Sequence, residues 1–265
     1  MAIYDINGNA ISTGGTSAAS KSELQRKFSG KKIIWLGDSI HAYAKPDGVT
    51  IPYLFQYHSG AKCYNWAQGG MTMALTGVEN YDPYSGVGMV DALISGDFTK
   101  QETYASEDHG TAQGNFTEQI AEMKAFDMAS AYALIIEFGA NDAFKQVPTD
   151  SADNVLDKTT TGGALRYMIK TLQTAYPLLK IAVCNVQKMS GYSDNEHQKP
   201  YDSKIQNEVI ESVCSELSIP VIDIYDQLGL NEYTSATLLS DGAHRSHAGK
   251  LRQVQIIENQ MCLYF

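Results

Sequence analysis

Five short runs of consecutive apolar residues, separated by stretches of helical periodicity, limit this chain to very few folds. The runs are Lys32–Leu36, Ala61–Trp66, Ala133–Phe138, Lys180–Val186 and Pro220–Tyr225. They are continuously apolar instead of alternating, as in Ala133-Leu-Ile-Ile136, which suits parallel strands covered on both faces. Between them lie helix candidates at Ile51–His58, Thr117–Phe126, Gly163–Tyr176 and Ser203–Leu217, with a last one at Ala248–Met261. Over 163–176, Leu165, Met168, Ile169, Leu172 and Tyr176 recur at three- and four-residue steps, and the pattern stops before Pro177. Ile205, Val209, Val213 and Leu217 form a similar stripe, and both stripes read as core-facing. Five βα units predict a three-layer α/β/α sandwich around a five-stranded parallel sheet. In such a sheet ligands bind at the carboxyl ends of the strands.

Two segments depart from this alternation. Residues 1–30 carry turn chemistry at Asp5-Ile-Asn-Gly-Asn9 and a small-residue run from Ser12 to Ser20. They read as a short strand, a turn and a linker, with attachment to a larger assembly as the functional alternative. The domain proper is then 31–265. Within it, residues 76–113 are rich in Gly, Tyr, Asp and Thr, with one helix-like piece at Val87–Ile94. A connection this long after the second strand is expected to overhang the site. Tyr81, Tyr84 and Tyr104 are candidates to stack on a sugar or line an apolar slot there, or simply to pack the insertion.

A net charge of −10 over 265 residues argues against nucleic acid or an anionic membrane as the main partner. No run of about 18 apolar residues is present to span a bilayer. No signal peptide is visible, so the reading is a soluble protein, cytoplasmic or carried extracellularly by a phage or surface assembly. Cys63, Cys184, Cys214 and Cys262 are scattered without a C-x-x-C pair and are expected to be free thiols. His247 follows His244 by three residues, but no further ligand cluster accompanies them, and neither metal nor cofactor is expected. His41 reads as lining the pocket mouth or facing solvent.

The strand ends carry the chemistry. The first delivers Gly37-Asp38-Ser39, the second Asn65-Trp-Ala-Gln-Gly-Gly70, and the third Gly139-Ala-Asn141-Asp142. Ser240-Asp241-Gly-Ala-His244 precedes the last helix. A serine needs an imidazole to take its proton, and the imidazole needs a carboxylate to fix its tautomer. Asp241 and His244 can form that pair within one turn. The Ser39 and Gly70 amides and the Asn141 side chain are the donor types that a tetrahedral oxyanion requires. No Gly-x-Ser-x-Gly elbow occurs, which excludes the α/β-hydrolase route.

In this order the blocks resemble the SGNH/GDSL hydrolase superfamily over about residues 31–265. Gly37-Asp38-Ser39 and Gly139-Ala140-Asn141-Asp142 match in full. In the second block Asn65 and Gly70 match, while Ala67 stands where a glycine is usual. In the last, Asp241 and His244 match, with Arg245 where a proline is frequent. The resemblance implies the flavodoxin-like fold of that superfamily, nucleophile Ser39, base His244, orienting Asp241, and oxyanion donors Ser39, Gly70 and Asn141. Asp38, Asp142, Tyr81 and Tyr84 are the candidate substrate-contacting residues. The expected activity is hydrolysis of carboxylic esters through an acyl-enzyme, on a small-molecule or glycan substrate, with O-deacetylation of carbohydrates first. A lipase- or thioesterase-like activity on longer chains, acyl transfer, and a glycan-binding adhesion module are the alternatives.

Overall fold

The computed structural model describes residues 3–4, 10–11, 17–44, 47–106, 116–188 and 203–265. Two residue pairs, β1 (Ile3–Tyr4) and β2 (Ala10–Ile11), form an antiparallel ribbon. Residues 5–9 and 12–16 of the expected turn and linker lie outside the described residues. From Ser17 the chain is helical: α1 (Ser17–Phe28) buries Leu24 and Phe28 at a four-residue step. The packed unit therefore begins before residue 31.

Five parallel strands follow: β3 (Lys32–Gly37), β4 (Lys62–Asn65), β5 (Ala133–Glu137), β6 (Lys180–Cys184) and β7 (Val221–Ile222), in the spatial order β4-β3-β5-β6-β7. Successive side chains point to opposite faces, so each apolar run feeds two cores. Ile34, Leu36, Leu134, Ile136, Ile181 and Val183 face one layer. Ile33, Trp35, Ala133, Ile135, Ala182, Cys184 and Ile222 face the other.

Twelve α-helices are formed among the described residues. After α1 come α2 (Ser39–Ala42), α3 (Ile51–Ser59), α4 (Gly86–Ser95), α5 (Thr99–Tyr104) and α6 (Thr117–Ala125). Then follow α7 (Ala140–Phe144), α8 (Thr161–Ala175), α9 (Lys204–Glu216), α10 (Ile224–Gln227), α11 (Ser235–Leu238) and α12 (His247–Tyr264). The last strand is shorter than its apolar run because Asp223 accepts from Asp226 N and starts α10.

Within 76–106 the helix-like piece expected at Val87–Ile94 is α4, and α5 follows it. Helix α4 packs on α8 and buries Val87, Met89, Val90, Ala92 and Leu93 in the first core. It is a working part of the β4-to-β5 crossover. Residues 107–115 of the expected insertion lie outside the described residues.

The strand order reverses at β3 and β5, which are neighbours in space while β4 lies on the far side of β3. This switch point opens a crevice at the carboxyl ends of two adjacent strands. Gly37-Asp38-Ser39 and Gly139-Ala140-Asn141-Asp142 emerge side by side there, in register through Gly37 and Glu137.

Candidate active site

Ser39 opens α2, and Asp38 caps it by accepting from Ile40 N at 2.9 Å. The first amides of a helix have no partner within it, so the Ser39 N–H points out of the helix start. Gly37 is required by close approach: a Cβ there would lie 2.6 Å from the Glu137 carbonyl oxygen.

The imidazole comes from a turn that closes on itself. Ser240 N donates to His244 O at 2.8 Å, and Leu239 bridges Arg245 in antiparallel fashion. Within that turn Asp241 Oδ1 accepts from the backbone N–H groups of Ala243 (3.1 Å) and His244 (2.7 Å). Its Oδ2 lies 2.7 Å from His244 Nδ1. His244 Nε2 then stands 2.9 Å from Ser39 Oγ. Burial opposes ionisation of Asp241, but its hydrogen bonds from His244 and Ala243 prevail and hold the carboxyl below its ordinary range. The Tyr43 ring stacks on the imidazole at a centroid distance of 4.5 Å and covers one face.

Gly70 and Asn141 are the remaining candidate oxyanion donors. Gly70 adopts φ +77°, which turns its backbone in a way an L side chain resists. Asn141 Nδ2 donates to Asp38 Oδ2 at 3.2 Å and to Met71 O at 3.1 Å. Asp142 accepts from Met73 N (2.8 Å) and Ala74 N (3.1 Å), pinning the segment that follows Gly70. Asn65 donates to His41 O at 3.0 Å and so ties the second strand end to α2.

Of the four candidate substrate-contacting side chains, Tyr81 and Tyr84 follow the packing alternative, and Asp38 and Asp142 are turned inward. Asp38 and Asp142 are buried and committed to the capping and amide-binding roles above. Tyr81 donates its hydroxyl to Gly70 O, and Tyr84 to Gln101 O, both from within the core. Asp38, Asp142 and Tyr81 hold segments of the site from behind, while Tyr84 packs the core away from it. Their polar atoms seek partners inside the fold because a buried hydroxyl or carboxylate left unpaired is costly. Tyr104 is partly buried against the same core.

Burial pushes the Asp38 carboxyl up to about 8, with the Ile40 amide opposing and the neighbouring Glu137 and Asp142 charges adding to the rise. At neutral pH it is a carboxylic acid, a weaker acceptor than a carboxylate for the Asn141 amide. Burial likewise raises Asp142 to about 6 against the Met73 and Ala74 amides.

His41 faces neither solvent nor a pocket mouth. It is fully buried, T-stacked on Trp35 at 5.0 Å, with Nε2 2.6 Å from Glu137 Oε2. The ligand atoms of His41, Glu137 and Cys184 lie within 4.8 Å of one another, a spacing that metal ligands also show. The Arg245 guanidinium stands 3.8 Å from the same carboxylate. A resident cation there disfavours a second one, so the cluster reads as a buried ion-pair set and not as a metal site. His247 bonds to Asp47, whose other oxygen receives Lys250 Nζ at 2.7 Å. The four cysteines are free, and among the described residues no helix is long and apolar enough to cross a membrane.

Sequence reasoning passed over Glu137, Tyr43 and Gln253. Glu137 did leave a signal, as the one charged residue in an otherwise apolar run.

A parallel α/β/α sandwich with this constellation at its switch point belongs among the flavodoxin-like hydrolases. A model of the GDSL-like Lipase/Acylhydrolase family matches residues 35–251, and the chain belongs to that family of ester hydrolases. Among solved structures, a protein from Lactobacillus plantarum is similar with a TM-score of 0.66 and 17% identity, over 89% of this chain and 99% of that one. The lipase/acylhydrolase from Enterococcus faecalis gives 0.52 and 18%, over 88% and 95%. Identities this low speak for the fold alone. No curated protein matches the sequence.

Proposed function

We propose that the protein is a serine esterase in which Ser39 is the nucleophile, His244 the general base and Asp241 its orienting acid, acting on small acyl esters of carbohydrates. The contact chain Ser39 Oγ–His244 Nε2–Nδ1–Asp241 Oδ2, at 2.9 and 2.7 Å, carries this reading. Ser39 Oγ attacks the ester carbonyl while its proton passes to His244 Nε2. Asp241 keeps the other ring proton on Nδ1 and stabilises the imidazolium. The oxyanion draws on the Ser39 and Gly70 backbone amides and on Asn141 Nδ2, which gives up one of its two long contacts. Each such donor lowers the barrier by about 3 kcal/mol. His244 then protonates the leaving alcohol, and a water activated by the same ring releases the acid.

The preference for a short acyl group is supported by Tyr81 and Tyr84. Both are spent on internal hydrogen bonds and do not offer an apolar slot for a long chain. The test is a chain-length series of p-nitrophenyl esters beside acetylated oligosaccharides. Acetate release is expected to dominate, and Ser39→Ala to lose about a thousandfold or more of it. Equal turnover by Ser39→Ala would sink the mechanism, and a maximum at long acyl chains would move the reading to a lipase.

A further inference from the structure

Behind the nucleophile, one buried carboxylate gathers the elements that carry the reacting groups. Glu137 ends β5, 3% exposed. Its Oε2 lies 2.6 Å from His41 Nε2 and accepts from Gln253 Nε2 at 2.7 Å. Gln253 Oε1 accepts in turn from Arg245 Nε at 2.6 Å. His41, Arg245 and Gln253 are each at most 1% exposed. The covalent neighbours give this cluster its meaning. His41 lies two residues after Ser39 on α2, Arg245 directly follows His244, and Gln253 projects from α12. The Glu137 carbonyl accepts from Asp38 N at 3.2 Å.

Burial alone would raise the Glu137 carboxyl, but the charges and hydrogen bonds of His41, Arg245 and Gln253 outweigh it and hold the group ionised. Arg245, pulled down by burial to about 10, stays cationic at neutral pH. Buried ionic sets of this kind are poor contributors to net stability, because desolvation offsets most of their attraction. Their directional bonds do fix relative positions. Here the two positions fixed are those of α2 and of the 239–245 turn, which also meet at the Ser39–His244 contact and the Tyr43 stack.

We infer that Glu137 and Gln253 are positioning residues, whose shared hydrogen bonds hold α2 and the Arg245 turn at the separation Ser39 and His244 need to pass a proton. The inference rests on the esterase reading above and extends it to a residue pair that touches no substrate. A displacement of the order of 1 Å between nucleophile and base costs about a hundredfold in rate. The loss should fall on kcat and not on KM, since the groups that would contact substrate are untouched.

The experiment uses Gln253→Met, which keeps length and apolar volume while deleting both bonds, together with Glu137→Gln and the double variant. On p-nitrophenyl acetate, Gln253→Met is expected to lower kcat by about 10- to 100-fold with KM within about twofold. Labelling of Ser39 by a fluorophosphonate should slow by a similar factor. The double variant should lose little more than the worse single, as expected of residues acting as one unit. If Gln253→Met does not fold, Arg245→Lys, which keeps the charge but lacks the Nε–H that reaches Gln253, carries the same expectation. A folded variant with wild-type kcat, a loss confined to KM, or singles that multiply in the double would each overturn the inference. A wild-type protein that neither hydrolyses esters nor labels at Ser39 would instead sink the esterase reading.

Discussion

The carboxyl of Asp38 should make the protein less stable as pH rises, and Asp38→Asn should remove that penalty. In the folded chain burial lifts this group from 3.8 to about 8. Between those values the folded state holds a proton that the unfolded state has released. Stability is therefore greatest below the unfolded pKa and is lost as pH climbs towards 8, by about 1.4 kcal/mol per pH unit. From pH 5 to pH 8 the loss sums to about 4 kcal/mol. Asparagine keeps the Oδ1 that receives Ile40 N but turns an amide towards Asn141 Nδ2, a donor–donor contact costing about 1–2 kcal/mol. The two proteins should thus be equally stable near pH 5, and the variant more stable by about 4 kcal/mol at pH 8. Urea unfolding of both proteins at a series of pH values measures the difference directly and cancels the titrating groups that do not interact with Asp38. A difference that stays constant within about 1 kcal/mol across that range would refute the placement of a protonated Asp38 beside the nucleophile.

Two further outcomes follow from the same geometry. Asp142→Ala leaves the Met73 and Ala74 amides unpaired in the core, so unfolding in urea should become easier by about 2–5 kcal/mol. Because that segment follows Gly70, kcat should fall about tenfold as well, and a variant with unchanged kcat would separate Asp142 from the oxyanion site. Gly37→Ala drives a Cβ to within 2.6 Å of the Glu137 carbonyl between two central strands. The expected cost is about 1–3 kcal/mol with a loss of esterase rate, and wild-type thermal stability would contradict the close strand approach.

Much of this arrangement was legible from the residues. The five apolar runs became five parallel strands, because a strand covered on both faces has no need to alternate. Asp241 and His244 meet through a local turn, which spacing alone anticipates. What stayed hidden was the direction in which polar side chains point. Asp38, Asp142, Tyr81 and Tyr84 look like substrate contacts when read along the chain, yet each turns inward to satisfy backbone groups that only the folded chain brings near. His41 was misplaced for the same reason: it sits on α2, and its partner Glu137 lies at the end of β5. Within 76–106 the helix at 87–94 was legible, whereas the Gly- and Tyr-rich composition hid α5 and the close packing of α4 on α8.

The Ser39–His244 contact joins positions 205 residues apart. During synthesis the proposed nucleophile leaves the ribosome long before its proposed base exists, and most of the sheet around it can assemble first. On the proposed reading the site is completed late, when the turn at 240–245 seats against α2 and Gln253 of α12 reaches Glu137. On that reading the chemistry waits on a contact that only the last tenth of the chain can supply.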